Sequence, residues 1–223
     1  AGQPELAFGL ARRGLERATA QEHVAARRRM HAGCAMKQRR LAASVGAKQG
    51  DPFTAGDAEL YVRDDDSGLL FGPTALPVRK ASGDYLARHG RGYSRFEHTR
   101  ADIALDLLQF VPGDEPVKVS RLRIRNLSGR TRHLTLTAYV EWVLGTSRSS
   151  TAPFVATEID PVTGGMLARN LWGGTETRVA FTDLGGLQTA WTCNRTEFIG
   201  RNVTLERPAA LAAGAKLSGR TAA

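Results

Sequence analysis

Residues 132–145 read RHLTLTAYVEWVLG, and their period decides the fold class. Leu134, Leu136, Ala138, Val140, Trp142 and Leu144 share one parity, while His133, Thr135, Thr137, Tyr139 and Glu141 share the other. Side chains on a strand alternate between its two faces, so this stretch is expected to be a strand with one buried and one solvated face. Trp142 falls on the buried parity and is expected to be core. The run before it, VKVSRLRIRN (117–126), changes parity between Val119 and Leu122, which a bulge near Ser120–Arg121 would reconcile. The turn Asn126-Leu127-Ser128-Gly129-Arg130 joins the two as a hairpin.

Working outward from this hairpin, β-prone runs follow one another from about Asp51 to about Gly200. They are punctuated by turn signals such as Ser82-Gly83-Asp84, Pro112-Gly113-Asp114 and Gly185-Gly186. Strands are expected near 58–63, 68–72, 91–98, 102–111, 116–126, 132–144, 153–160, 164–170, 177–183, 187–193 and 196–200. With no helical pattern between them, they point to an all-β antiparallel sandwich rather than to βαβ units.

The first fifty residues differ in texture. They are rich in Ala and Arg, they have no apolar face of helical period, and they carry ten Lys/Arg against three Asp/Glu. Most of the chain's formal charge of +9 therefore sits there. A helical or disordered basic arm is expected over 1–50, with the sandwich over 51–223. Arg27-Arg28-Arg29 and Lys37-Gln38-Arg39-Arg40 could touch phosphate, but no aromatic residue interleaves them to stack on bases. A nucleic-acid- or partner-binding arm is accordingly the second reading. Cys34 and Cys193 form no C-x-x-C, no apolar run has spanning length, and no signal segment opens the chain. A reduced, cytoplasmic setting without cofactor or metal follows as the expectation.

Candidate chemistry is sparse. There is no G-x-S-x-G elbow, P-loop or H-E-x-x-H. Asp102 and Asp106, taken on one strand, lie too far apart for a glycosidase carboxylate pair and read as a solvated face. Asp64-Asp65-Asp66 reads as a turn. The densest polar stretch is GYSRFEHT (92–99), where Tyr93, Arg95 and Glu97 share a face and Phe96 points to the core. Arg95 and Glu97 are placed to pair with each other or across to a neighbouring strand; a sugar-binding Arg–Glu–Tyr face would look the same in sequence, but the spacing favours the structural pairing.

Four segments together resemble a known family: YVRDDDSGLLFGPTALPVR (61–79), RHGRGYSRFEH running on through YVEWVLG (88–145), TAPFVATEIDPVTGGMLARNLW (151–172) and RVAFTDLGGLQTAWTCNRTEFIGRN (178–202). They are similar to the cellobiose and chitobiose phosphorylases, glycoside hydrolase family 94 (formerly glycosyltransferase family 36), in the cyclic β-1,2-glucan synthase branch. The resemblance runs from about Ala58 to Leu217 and implies a galactose-mutarotase-like β-supersandwich. In that family a catalytic α/α barrel follows the sandwich, and this chain stops before one could begin. The resemblance thus implies a non-catalytic domain that supports the barrel, helps to build a homodimer and lends residues to a β-glucan or sugar-phosphate site. Arg148, in the loop after YVEWVLG, together with Arg95, Glu97 and Tyr93, are the implied sugar-binding residues. The branch is associated with the bacterial inner membrane. Residues 9–50 lack the glycine- and aromatic-rich strand region of the family, which predicts an unpaired sheet edge.

Overall fold

The structure, a computed structural model, describes residues 39–46, 53–78, 83–113, 116–172 and 179–221. Among the described residues eleven strands run in chain order: β1 (Arg39–Gly46), β2 (Phe53–Asp64), β3 (Leu70–Phe71), β4 (Tyr85–Gly90), β5 (Tyr93–Arg100), β6 (Ile103–Phe110), β7 (Val117–Asn126), β8 (Leu134–Leu144), β9 (Val155–Ile159), β10 (Met166–Asn170) and β11 (Ala180–Asp183). They form an eight-stranded sheet in the order β4-β5-β6-β7-β1-β11-β10-β9 and a three-stranded sheet in the order β3-β2-β8. Every pairing is antiparallel. The fold class expected from period two is the one observed.

The two sheets close over an apolar interior. Ile103, Leu105 and Leu107 of β6 and Leu122 and Ile124 of β7 meet Val62 of β2 and Phe71 of β3, with Phe96, Leu134 and Leu136 packed against them. Further along β8, Trp142 and Leu144 meet Ala168 of β10 and Ala180 of β11. Small alanines on the facing strands leave room for the indole, which is how interdigitating layers reach interior packing density. One ion pair lies within this region: Arg132 Nη2 donates to Asp64 Oδ2 at 2.7 Å, and both side chains are almost fully buried. The first aspartate of the acidic triplet is thus a buried partner rather than a plain turn residue.

Four expectations are corrected. β7 needs no bulge, because its pairing with β6 is continuous from Val119 to Asn126. Instead Ser120 takes a buried position and accepts from Gln109 Nε2 at 3.1 Å, so a hydrogen-bonded hydroxyl occupies the parity an apolar residue would have held. Asp102 is in the tight β5–β6 turn with a positive φ of 62°, not on a strand with Asp106. Arg39–Gly46, read as part of a helical or disordered arm, is a strand. It pairs with β7 on one side and β11 on the other, so the edge predicted to be unpaired is filled. Backbone pairing on both sides outweighs the helix propensity of an Ala/Arg-rich segment. The remaining part of the arm reading, with Arg27–Arg29, Lys37 and Cys34, lies outside the described residues.

The largest departure is at the C-terminus. Arg195–Ile199 is a short helix where a strand was expected, and 187–193 has no regular structure. Asn194 caps the helix by accepting from Glu197 N at 3.0 Å, and Gly200 ends it at a φ of 95°. Asn-x-x-Glu is a capping signature, which outranks the β propensity of Phe198 and Ile199. Those two residues pack with Leu205 and Leu211 on Tyr61, Val78 and Tyr139. The C-terminal segment is therefore a third layer on the far side of the three-stranded sheet. Tyr61 donates to Leu205 O at 3.0 Å and Arg63 to Leu211 O at 3.2 Å, pinning it down.

This layer corrects the reading of β8. Trp142 is buried as expected at 9% exposure, yet Tyr139 at 8% and Glu141 at 7%, on the opposite parity, are equally buried. Tyr139 stacks on Phe198 with ring centroids 4.8 Å apart. The supposed wet face of β8 is covered by residues some 60 positions downstream, which a local pattern cannot register.

Candidate functional site

The hairpin of β4 and β5 turns through Arg91 and Gly92, closing with Gly90 opposite Tyr93. Gly92 adopts a φ of 77°, the left-handed backbone a two-residue hairpin needs. This hairpin sets β4, an exposed edge strand not expected from the sequence, beside GYSRFEHT. Edge strands bury little, so Tyr85–Gly90 lacks the apolar alternation that would mark it.

From this geometry the outer face of the eight-stranded sheet is assembled. Arg88, Arg95, Leu108 and Arg121 lie in one row across β4–β7, and Leu86, Glu97, Asp106 and Arg123 in the next. Arg95 makes a two-pronged bond to Asp106, Nε to Oδ1 and Nη2 to Oδ2, each at 2.9 Å. Arg95 Nη2 also lies 3.2 Å from Glu97 Oε1, and Arg88 pairs with Glu97. The hydrogen bond to Asp106 and its charge hold Arg95 still more firmly protonated. Asp106, read as solvated, is thus the central anion of a network.

Around it lies a shallow groove of about 720 Å³ lined by Arg88, Arg95, Arg121 and Arg123, with Tyr93 and Phe110 at one end. Four guanidinium groups face the two carboxylates of Asp106 and Glu97, so the face keeps a positive surplus. Tyr93 is 47% exposed. Arginine and aromatic residues on one concave surface are the composition of a protein interface core or a polar-ligand groove.

Tyr93, Arg95 and Glu97 are therefore brought together as expected, and Arg148 is not among them. It begins a single helical turn, Arg148–Thr151, capped by Ser147, on the other side of the sandwich core. There its Nε lies 3.2 Å from Glu141 Oε1. The same oxygen accepts from Arg195 Nε at 2.9 Å, and Glu141 Oε2 accepts from Tyr139 Oη at 2.9 Å. A buried carboxylate is thus held by two half-exposed arginines and a phenol. Burial, then the hydrogen bond to Glu141 and its charge, push the pKa of the Tyr139 hydroxyl up to about 12. Desolvation works against the Arg195 charge, but Glu141 more than offsets it and leaves Arg195 raised. Glu141, Tyr139 and Arg195 were missed as site residues because the first two were assigned to a wet face. The Asn194–Glu197 capping pattern was the signal for the helix that delivers Arg195.

Beside the Arg148 turn, Phe154 stacks on Trp172 with centroids 5.0 Å apart and planes at 25°. Trp172 is 66% exposed, the most open aromatic ring of the described residues.

Comparison with known proteins assigns the fold to a family. Residues 54–223 match the family described as "Glycosyl hydrolase 94, supersandwich domain". The chain is 39% identical over 163 residues to the cyclic beta-(1,2)-glucan synthase NdvB of Rhizobium meliloti (strain 1021), which covers 73% of the chain and 6% of NdvB. It is 32% identical over 92 residues to the solabiose phosphorylase of Paenibacillus borealis, covering 41% of the chain and 12% of that enzyme. It is also 33% identical over 85 residues to the N,N'-diacetylchitobiose phosphorylase of Vibrio proteolyticus, covering 37% and 11%. The chain thus spans about an eighth or less of each relative. Among the described residues no helix is long and apolar enough to cross a membrane. By its fold and by the match over residues 54–223, the chain belongs to glycoside hydrolase family 94, as the supersandwich domain of that family.

Proposed function

We propose that the chain is a non-catalytic sandwich domain of a cyclic β-1,2-glucan synthase-like glycoside phosphorylase, and that it acts by docking and completing a catalytic α/α barrel. The observation that carries this reading is the Arg88–Glu97–Arg95–Asp106 network on the outer face of β4–β6. A strand face that met only water would gain little from such a network, since exposed ion pairs contribute about 0–1 kcal/mol. A face that meets another domain needs its charges paired beforehand, because unpaired charges become costly when water is excluded. The arginine surplus there suits an acidic barrel surface. On this reading Arg148 and Arg195, both anchored by Glu141, are the groups assigned to a sugar hydroxyl or phosphate at the opposite side.

Enzymatic turnover is not expected of the chain alone. Asp106 is engaged by Arg95 and Glu141 by Arg148, Arg195 and Tyr139, so neither carboxylate stands ready as an acid or nucleophile. The test is release of sugar phosphate from β-glucan oligosaccharides with inorganic phosphate. The purified chain should give none. A phosphorolysis rate abolished by Glu141→Gln or Asp106→Asn would overturn the reading.

A further inference from the structure

We infer that Arg148 and Arg195, held side by side by Glu141, form a binding site for a phosphoryl group, free or carried on a sugar. These are the groups assigned above to a sugar hydroxyl or phosphate, so the choice of phosphate rests on reading the chain as part of a glycoside phosphorylase.

The two arginines come from different elements. Arg148 opens the turn Arg148–Thr151 after β8, and Arg195 opens the helix Arg195–Ile199. Both bring Nε to one atom, Glu141 Oε1, at 3.2 and 2.9 Å. Tyr139 Oη takes the other carboxylate oxygen at 2.9 Å. Sharing one oxygen makes the two guanidiniums neighbours. Like charges so close repel, and a single carboxylate offsets only one of them. No other carboxylate pairs with either arginine among the described residues. Glu197, two residues along from Arg195, is spent on Ser218 and on Thr192 Oγ1. The cluster therefore keeps a positive charge without a counterion.

Arg95 shows what a satisfied guanidinium does in this fold, gripping both oxygens of Asp106 through Nε and Nη2. Arg148 and Arg195 instead meet Glu141 through Nε, which leaves their Nη1 and Nη2 ends without a carboxylate. The Glu141 side chain is 8% exposed, against 50% for Arg148 and 59% for Arg195. The anchor is buried and the two guanidiniums reach water. A free arginine loses rotamer freedom when it grips a ligand, and here Glu141 has already removed part of that freedom.

The occupant follows from charge and shape. A neutral hydroxyl leaves the surplus charge standing. A carboxylate brings one charge and two oxygens, which a single guanidinium saturates, as Arg95 does at Asp106. A phosphoryl group brings up to two charges and three acceptor oxygens, so it can take donors from two guanidiniums at once. The planar arginine fork suits it better than the point charge of a lysine.

The test follows the arginine Nε–H resonances of the full chain by NMR at constant ionic strength. The probes are inorganic phosphate and glucose 1-phosphate, with glucose and acetate as controls. Both phosphates should shift the Arg148 and Arg195 signals saturably, acetate weakly and glucose not at all. Arg148→Lys and Arg195→Lys leave a cation beside Glu141, so the chain should stay folded, but each should weaken phosphate binding about fivefold or more. Arg125→Ala, an exposed arginine on β7, should leave binding unchanged. No saturable shift at about 20 mM phosphate overturns the site. So does phosphate affinity that both lysine variants retain, or that Arg125→Ala lowers as much as they do. A response to acetate equal to that of phosphate overturns it too, and points to a partner's carboxylate there. A chain that binds no phosphate, while Arg95→Ala still disturbs the barrel of a longer relative, contradicts this site alone and leaves the docking reading standing.

Discussion

Tyr139 donates its hydroxyl to Glu141 Oε2 at 2.9 Å, two residues along the same strand and on the face opposite Trp142. A strand that buries a hydrogen-bonded phenol on one face and an indole on the other separates two layers, and both faces carry stability. Trp142→Ala should destabilise the chain by about 3–5 kcal/mol, as for other buried aromatics. Tyr139→Ala should cost a similar amount, because it removes the stack on Phe198 as well as a bond to a buried carboxylate. Tyr139→Phe should cost about 1–3 kcal/mol, the penalty of an acceptor losing its donor. Urea unfolding of the three variants checks the order. A Tyr139→Ala variant close to wild type would mean that the C-terminal layer does not seal β8.

The buried pair of Arg132 and Asp64 gives a second test. Arg132→Met keeps volume but strands Asp64, which is 0% exposed, and should cost about 3–5 kcal/mol. The double change Arg132→Met with Asp64→Leu should recover part of that loss, because the uncompensated charge goes with it. Denaturant midpoints of single and double variants are the measurement. Absence of any recovery would contradict the desolvation account.

The all-β class and nine of the strands were legible because period two survives wherever apolar side chains recur on one face, as in β6 and β8. Tyr93, Arg95 and Glu97 were legible as one face for the same reason. What escaped has a common physical cause, since partners distant in sequence override local pattern. Glu141 looked solvated because its cover arrives with Arg195. β1 looked helical because its two neighbouring strands, not its composition, fix its backbone. β4 buries too little to leave a pattern.

His98 supplies a pH dependence. Its ring is 2% exposed, stacks on Tyr85 at 3.8 Å and donates from Nδ1 to Asp84 O at 3.1 Å, while Nε2 has no partner among the described residues. Burial holds its pKa below the ordinary 6.5, with the Arg100 charge acting in the same direction. Between the two values the unfolded chain binds the extra proton, so stability rises with pH. The contribution is fully present above about 6.5 and is lost as pH falls below it. The urea midpoint of the wild type should drop between pH 7.5 and pH 5 by more than that of His98→Phe. Equal pH dependence in the two proteins would contradict a buried neutral imidazole.

The docking role of the outer face is tested most directly at Arg95. Its guanidinium is 42% exposed, so its pairs with Asp106 and Glu97 should contribute only about 0–1 kcal/mol in the isolated chain. The measurement is one substitution read in two contexts: the thermal midpoint of this chain, and phosphorolysis by a longer relative that carries the barrel. Arg95→Ala should leave the chain folded with a nearly unchanged midpoint and impair barrel packing or activity in the longer protein. Collapse of the isolated chain, or full activity in the longer one, would contradict it.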